Sequence, residues 1–141
     1  MSFGALNYMP VIVAAIASFL FGGVWYNAFS RQWMEALGRT PDVIPRDRGA
    51  VGLYVAALAA QLIMAWMLAG VLFHLAAAGL PTSLRTGLIS AAFLWLGFVI
   101  TTLVVNYSFQ GARPLLMLLD GAHWLGVLLI QGAILGWWGV H

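Results

Sequence analysis

Hydrophobic residues fall in four long runs, at 6–26, 51–78, 84–106 and 115–138, separated by polar breaks. Each run supplies the roughly 20 apolar residues that a helix needs to cross a bilayer. Backbone amides cannot stay unpaired in hydrocarbon, so segments of this kind fold as helices. The pattern predicts an all-α polytopic membrane protein, a four-transmembrane-helix bundle in one domain over residues 1–141. Residues 27–49 form the only polar stretch of any size.

Local signals sharpen the boundaries. Asn7 is placed to cap the first helix, and Pro10 falls in its first turn, where a missing amide hydrogen is tolerated. No basic residue precedes this run, so it reads as a retained span rather than a cleaved leader. Ala14, Ser18 and Gly22 recur every fourth residue, a small-residue face that lets another helix approach closely. Trp25 and Tyr26 mark one membrane interface, and Trp137 and Trp138 mark the other. Residues 31–38, RQWMEALG, predict a short interfacial helix with Trp33, Met34 and Leu37 toward lipid. Thr40-Pro41 and Pro45 stop it. The second run is longer than a bilayer requires and is expected to tilt or project. Gly79 and Pro81 end it, and Thr82 or Ser83 caps the third helix. A polar turn over 106–114 then leads to Pro114, which opens the fourth.

Composition strengthens this picture. The chain is 63% hydrophobic and only 7% charged, against about 25% charged residues in soluble domains. Its mean hydropathy of +0.97 makes lipid the solvent for most of its surface. The six basic residues are all arginine, set against four acids. They form no basic patch, which argues against nucleic acid as a partner. The absence of cysteine excludes disulfides and thiolate chemistry. Arg31, Arg39, Arg46, Arg48 and Arg113 lie on one side of the predicted topology and Arg85 alone on the other. The positive-inside rule therefore predicts a cytoplasmic long loop with both termini outside, N-out and C-out. Glu35, Asp42 and Asp47 intersperse with the loop arginines, the mixture of a solvated linker rather than of a site for acidic ligands.

A handful of polar residues in the apolar runs carry the candidate chemistry. Asp120, His123 and Gln131 follow helical spacing on one stripe of the fourth helix, and Gly132 and Gly136 offer a close-packing seam. Folding the last hairpin is expected to bring Asn106 and Arg113 near Asp120 and His123, with Gln131 deeper in the bilayer. Intramembrane ionisable groups are functional candidates because burying charge in hydrocarbon is costly. On that reading Asp120 and His123 form a proton-accepting pair or a ligand anchor. The structural reading, which the spacing favours, pairs Asp120 with Arg113 and His123 with a backbone carbonyl. Gln61 is expected to hydrogen-bond to a neighbouring helix. His74, His123 and His141 are too widely separated along the bundle to make a metal set. No phosphate loop, zinc helix or serine-nucleophile motif is present, and nothing implies a cofactor.

Several stretches together carry a resemblance. GGVWY at 22–26 is followed by Trp33-Met34 and Gly38; WLGFVITTLVVN at 95–106, RPLLMLLDGAHWL at 113–125 and GAILGWW at 132–138 follow. This set resembles a bacterial domain-of-unknown-function family, numbered 1761. The resemblance implies a small four-helix protein of the bacterial inner membrane and supplies no activity. His123 departs from the aromatic residue, such as tyrosine, that the resemblance leads one to expect there. Arg31 stands where lysine is common. Three classes of function follow, in order of preference. The first is an interaction or assembly protein, packing through Ala14, Ser18, Gly22, Gly132 and Gly136 into a homo-oligomer or a larger membrane complex. The second is a small transporter or channel built on the Asp120/His123 cluster. The third is a cofactor-binding membrane enzyme.

Overall fold

A computed structural model describes residues 5–39 and 49–141. Pro41, Pro45, Arg46, Arg48, Asp42 and Asp47 lie outside the described residues. The elements run α1 (Tyr8–Ala28), α2 (Ser30–Leu37), α3 (Gly49–Ala77), α4 (Leu84–Leu94), a π-helical turn (Trp95–Val99), α5 (Ile100–Phe109) and α6 (Pro114–Trp138). The π turn joins α4 and α5 into one span, Leu84–Phe109, so among the described residues four helices are long and apolar enough to cross a membrane.

The ends form as local chemistry dictates. The Asn7 side chain accepts a hydrogen bond from the Met9 amide, and Ser83 does the same for Thr86 at the start of α4. Gly38 closes α2 in the left-handed conformation, φ 68°, which other residues adopt only at a cost. One boundary differs from the sequence reading. The third span continues three residues past Asn106, and the turn to α6 is short, closed by Gly111 at φ 66°. The polar residues Asn106, Tyr107 and Ser108 satisfy their amides by staying helical, since the next break signal is Gly111 itself.

The four spans pack unevenly along their length. Helix α6 is central and packs against α4, α1 and α3; α3 also packs against α1. The apolar core collects Val11, Ala14 and Ala15 of α1, Leu68, Ala69 and Leu72 of α3, Ala91 of α4, and Leu128 and Leu135 of α6. All of these lie toward one end of the bundle, the end where the start of α1 meets the residues that follow α6. There the Asn7 amide donates to the Val140 carbonyl at 3.1 Å.

Glycine sets the closeness of this end. A Cβ on Gly87 would overlap the Gly132 carbonyl, one on Gly132 would meet the Gly87 backbone, and one on Gly136 the Ser83 backbone. Ala14, Ser18, Gly22, Gly132 and Gly136 are all buried inside the chain. The opposite end is open. In α3, residues 51–60 are exposed except for Ala57, and no residue of the third span from Trp95 to Phe109 is buried.

Candidate functional site

In the open half, three spans meet at Asp120, about 9 Å along α6 from its first residue. The Tyr26 hydroxyl donates to Asp120 Oδ1 and the Tyr107 hydroxyl to Oδ2, each at 2.7 Å. One carboxylate thus ties α1 and α5 to α6. Hydrogen bonds to an ionised acceptor are among the strong ones. Among the described residues no cation pairs with Asp120; the one ion pair there joins Arg31 to Glu35 on α2.

The expected Asp120–Arg113 pairing is therefore corrected. Arg113 is exposed and donates to the Glu35 backbone carbonyl, pinning α2 against the start of α6. Asn106 is also exposed and stands outside the cluster. The π turn explains both Asn106 and Tyr107. A π turn holds one extra residue, which rotates every later side chain by about 100° relative to a continuous α-helix. Trp95, the first residue of the turn, faces α6 and donates its indole N–H to the Gly121 carbonyl at 2.8 Å. After the turn Tyr107 takes the inward position that unbroken helical spacing assigned to Asn106.

One turn beyond Asp120, His123 is only 4% exposed, and neither ring nitrogen has a hydrogen-bond partner. A backbone-carbonyl partner was the structural expectation, and the structure replaces it with aromatic surroundings. The imidazole stacks on Phe21 with ring centroids 6.0 Å apart and planes within 5°, and it contacts Tyr26 at 4.7 Å. Gly22 makes this placement possible, since a Cβ there would come within 2.9 Å of His123 Nε2.

Gln131 is fully buried about two-thirds of the way along α6. Its amide donates to Ser18 Oγ at 3.0 Å and to the Gln61 backbone carbonyl at 3.1 Å, joining α1, α3 and α6. The Gln61 side chain, 3% exposed, makes no bond through its carbonyl Oε1; Gln131 Oε1 is likewise without a partner. The expected interhelical bond at Gln61 runs through its backbone instead.

His123 and Gln61 form the floor of a cleft of about 970 Å³ between α1, α3 and α6. Tyr26, Tyr54 and Trp124 line its walls, and Leu20 and Val24 stand at its exposed rim. Phe19 and Tyr54 meet edge to face across the α1–α3 gap, with centroids 6.5 Å apart. The polar atoms of His123 and Gln61 Oε1 lie beneath the cleft surface, covered by packed side chains.

Of the five residues singled out for the polar cluster, Asp120 and His123 are together here, Gln131 is deeper, and Asn106 and Arg113 stand apart. From sequence alone Tyr26 reads as an interfacial aromatic, and Tyr107 carries no signal of its own. A phenol at a span end has two possible roles, lipid contact or a hydrogen bond inward, and composition does not separate them.

The family model described as a protein of unknown function, DUF1761, matches residues 9–136. The chain belongs to this family. The match runs from the first turn of α1 nearly to the end of α6, so it includes every residue of the cleft and of the Asp120 cluster. No curated protein and no solved structure matches this DUF1761 chain.

Proposed function

We propose that this DUF1761 protein binds a small hydrogen-bonding amphiphile in the α1–α3–α6 cleft, taken up sideways from the bilayer. The observation that carries this reading is His123, a buried imidazole with two unpartnered nitrogens beside the unpartnered Gln61 carbonyl. Leaving a polar group buried and unsatisfied costs about 1–3 kcal/mol. Three such atoms at the floor of one cleft form a reservoir that a ligand with the complementary groups can draw on. Because those atoms lie beneath the cleft surface, occupancy includes a local side-chain rotation. Gln61, with three rotatable side-chain bonds on the loosely packed half of α3, is the group suited to supply it.

In this reading the protein sits in the bacterial inner membrane with both termini on the outer side. Arg31, Arg39 and Arg113 at the open end then face the cytoplasm, in keeping with the arginine asymmetry of the sequence. The cleft opens in the inner half of the bilayer. An assembly role has separate support in the stretch from Trp95 to Phe109, where no residue is fully buried within the chain. A partner helix against α5 would be compatible with an occupied cleft on the other face of α6.

Native mass spectrometry of the protein extracted with its own lipid tests the binding reading. The wild type is expected to retain one small molecule per chain, which Gln61→Leu loses while remaining folded by circular dichroism. A wild type that carries nothing and takes up no added amphiphile would overturn it.

A further inference from the structure

We infer that the ligand of this cleft is a lipophilic cation, a protonated amine on an apolar body. The inference rests on the binding reading above and concerns the charge of the head group.

Three features converge on that chemistry. The first is the balance of hydrogen-bonding groups. Gln61 Oε1 is an acceptor without a donor, and a neutral imidazole at His123 adds one acceptor nitrogen against one N–H. Two buried acceptors, Gln61 Oε1 and one His123 nitrogen, thus stand without donors, and a head group that brings N–H bonds can satisfy both.

The second is charge. Asp120 lies inside a span with two neutral phenols as partners and, among the described residues, no cation. Tyr26 bridges the two environments, since its hydroxyl is spent on Asp120 while its ring lines the cleft. An acid in low-dielectric surroundings is stabilised by a nearby opposite charge. A cation in the cleft supplies it from one residue away, with Tyr26 between.

The third is the wall. Tyr26, Tyr54 and Trp124 line the cleft with aromatic side chains, and Leu20 and Val24 are exposed at its apolar rim. Aromatic faces attract ammonium groups, most strongly where water is excluded. The rim accommodates the hydrocarbon part. An acyl chain in the cleft would leave Gln61 and His123 as they are, so the polar head has to reach the floor.

The test is a titration of detergent-solubilised protein with three amphiphiles of one chain length, read by native mass spectrometry. Dodecylammonium is expected to bind one per chain, about tenfold or more tighter than dodecanol, with dodecanoate weakest. Asp120→Asn, which keeps one acceptor oxygen for a tyrosine, is expected to bring dodecylammonium several-fold closer to the level of dodecanol. Dodecanol binding to that variant should be unchanged, which also reports that its cleft is intact. If Asp120→Asn loses dodecanol as well, the comparison passes to Trp124→Leu, which removes an aromatic wall and should weaken the ammonium selectively. Equal binding of the ammonium and the alcohol by the wild type would overturn the cation inference and leave the binding reading standing. Tighter dodecanoate would overturn it too, and binding of none of the three would sink both.

Discussion

At the scale of single residues, Asp120 and Gly22 organise the open half of the bundle. Asp120 accepts from phenols on two other spans, and each bond to a charged acceptor contributes about 1.5–3 kcal/mol. Tyr107→Phe removes one without touching the cleft, and should destabilise by somewhat less than that, since Tyr107 is partly exposed. Thermal unfolding in detergent would show the change; an unaltered midpoint would mean the Tyr107 bond is not made in solution. Gly22 acts through what it lacks. Gly22→Ala drives a methyl against His123 Nε2 and is expected to cost about 1–3 kcal/mol by overpacking. Adding His123→Ala should recover most of that loss. Additive costs for the two substitutions would mean the residues are not in contact. Neither pair was legible beforehand. The small-residue repeat at Ala14, Ser18 and Gly22 signalled a close approach without saying that an imidazole makes it.

At the scale of elements, the third span shows where pattern reading stops. Hydropathy located it, and the Ser83 cap fixed its start, because both are local. The π turn at Trp95–Val99 is not local. It trades regular i to i−4 bonding for an alignment in which Trp95 and Tyr107 both reach α6, and only the neighbouring helix makes that worthwhile. Deleting Gly97, which is exposed within the turn, should restore α-helical register and swing Tyr107 away from Asp120. Tyr107→Phe would then cost nothing further in the deletion background, a result read from the same unfolding midpoints. A full additional cost would show that the turn does not set the register. The α4–α6 seam makes a different prediction. Gly87→Ala places a methyl on the Gly132 carbonyl. No flexible side chain is present there to yield, so the substitution should destabilise the monomer by at least about 2 kcal/mol. That loss should be independent of protein concentration; a concentration-dependent loss would place the seam between chains instead.

At the scale of the whole molecule, the packing divides the bundle into a sealed end and an open one. The sealed end holds the apolar core, the glycine seam and the contact between Asn7 and Val140. The open end holds the Asp120 clamp, α2 and the aromatic cleft. Composition and run length are enough to locate the four helices long and apolar enough to cross a membrane, because bilayer thickness and backbone hydrogen bonding leave few alternatives. The site was legible only in part. Asp120 and His123 stand out as ionisable groups in apolar runs, whereas Gln61 and Tyr26 acquire meaning only once α1, α3 and α6 are brought together. Expensive buried groups that are satisfied within the chain contribute to its specificity; those left unsatisfied point outward to something else. His123 belongs to the second kind.

The nitrogen-15 spectrum of the His123 imidazole, taken in bilayers with and without dodecylammonium, tests that claim most directly. Ring-nitrogen shifts report whether each nitrogen is hydrogen-bonded. The amphiphile is expected to move the His123 signals while those of His74 and His141 stay in place, and Gln61→Leu to reduce the effect. Saturable binding of the amphiphile with the His123 signals unmoved would contradict it, and would return the imidazole to the role of packing material between Phe21 and Gly22.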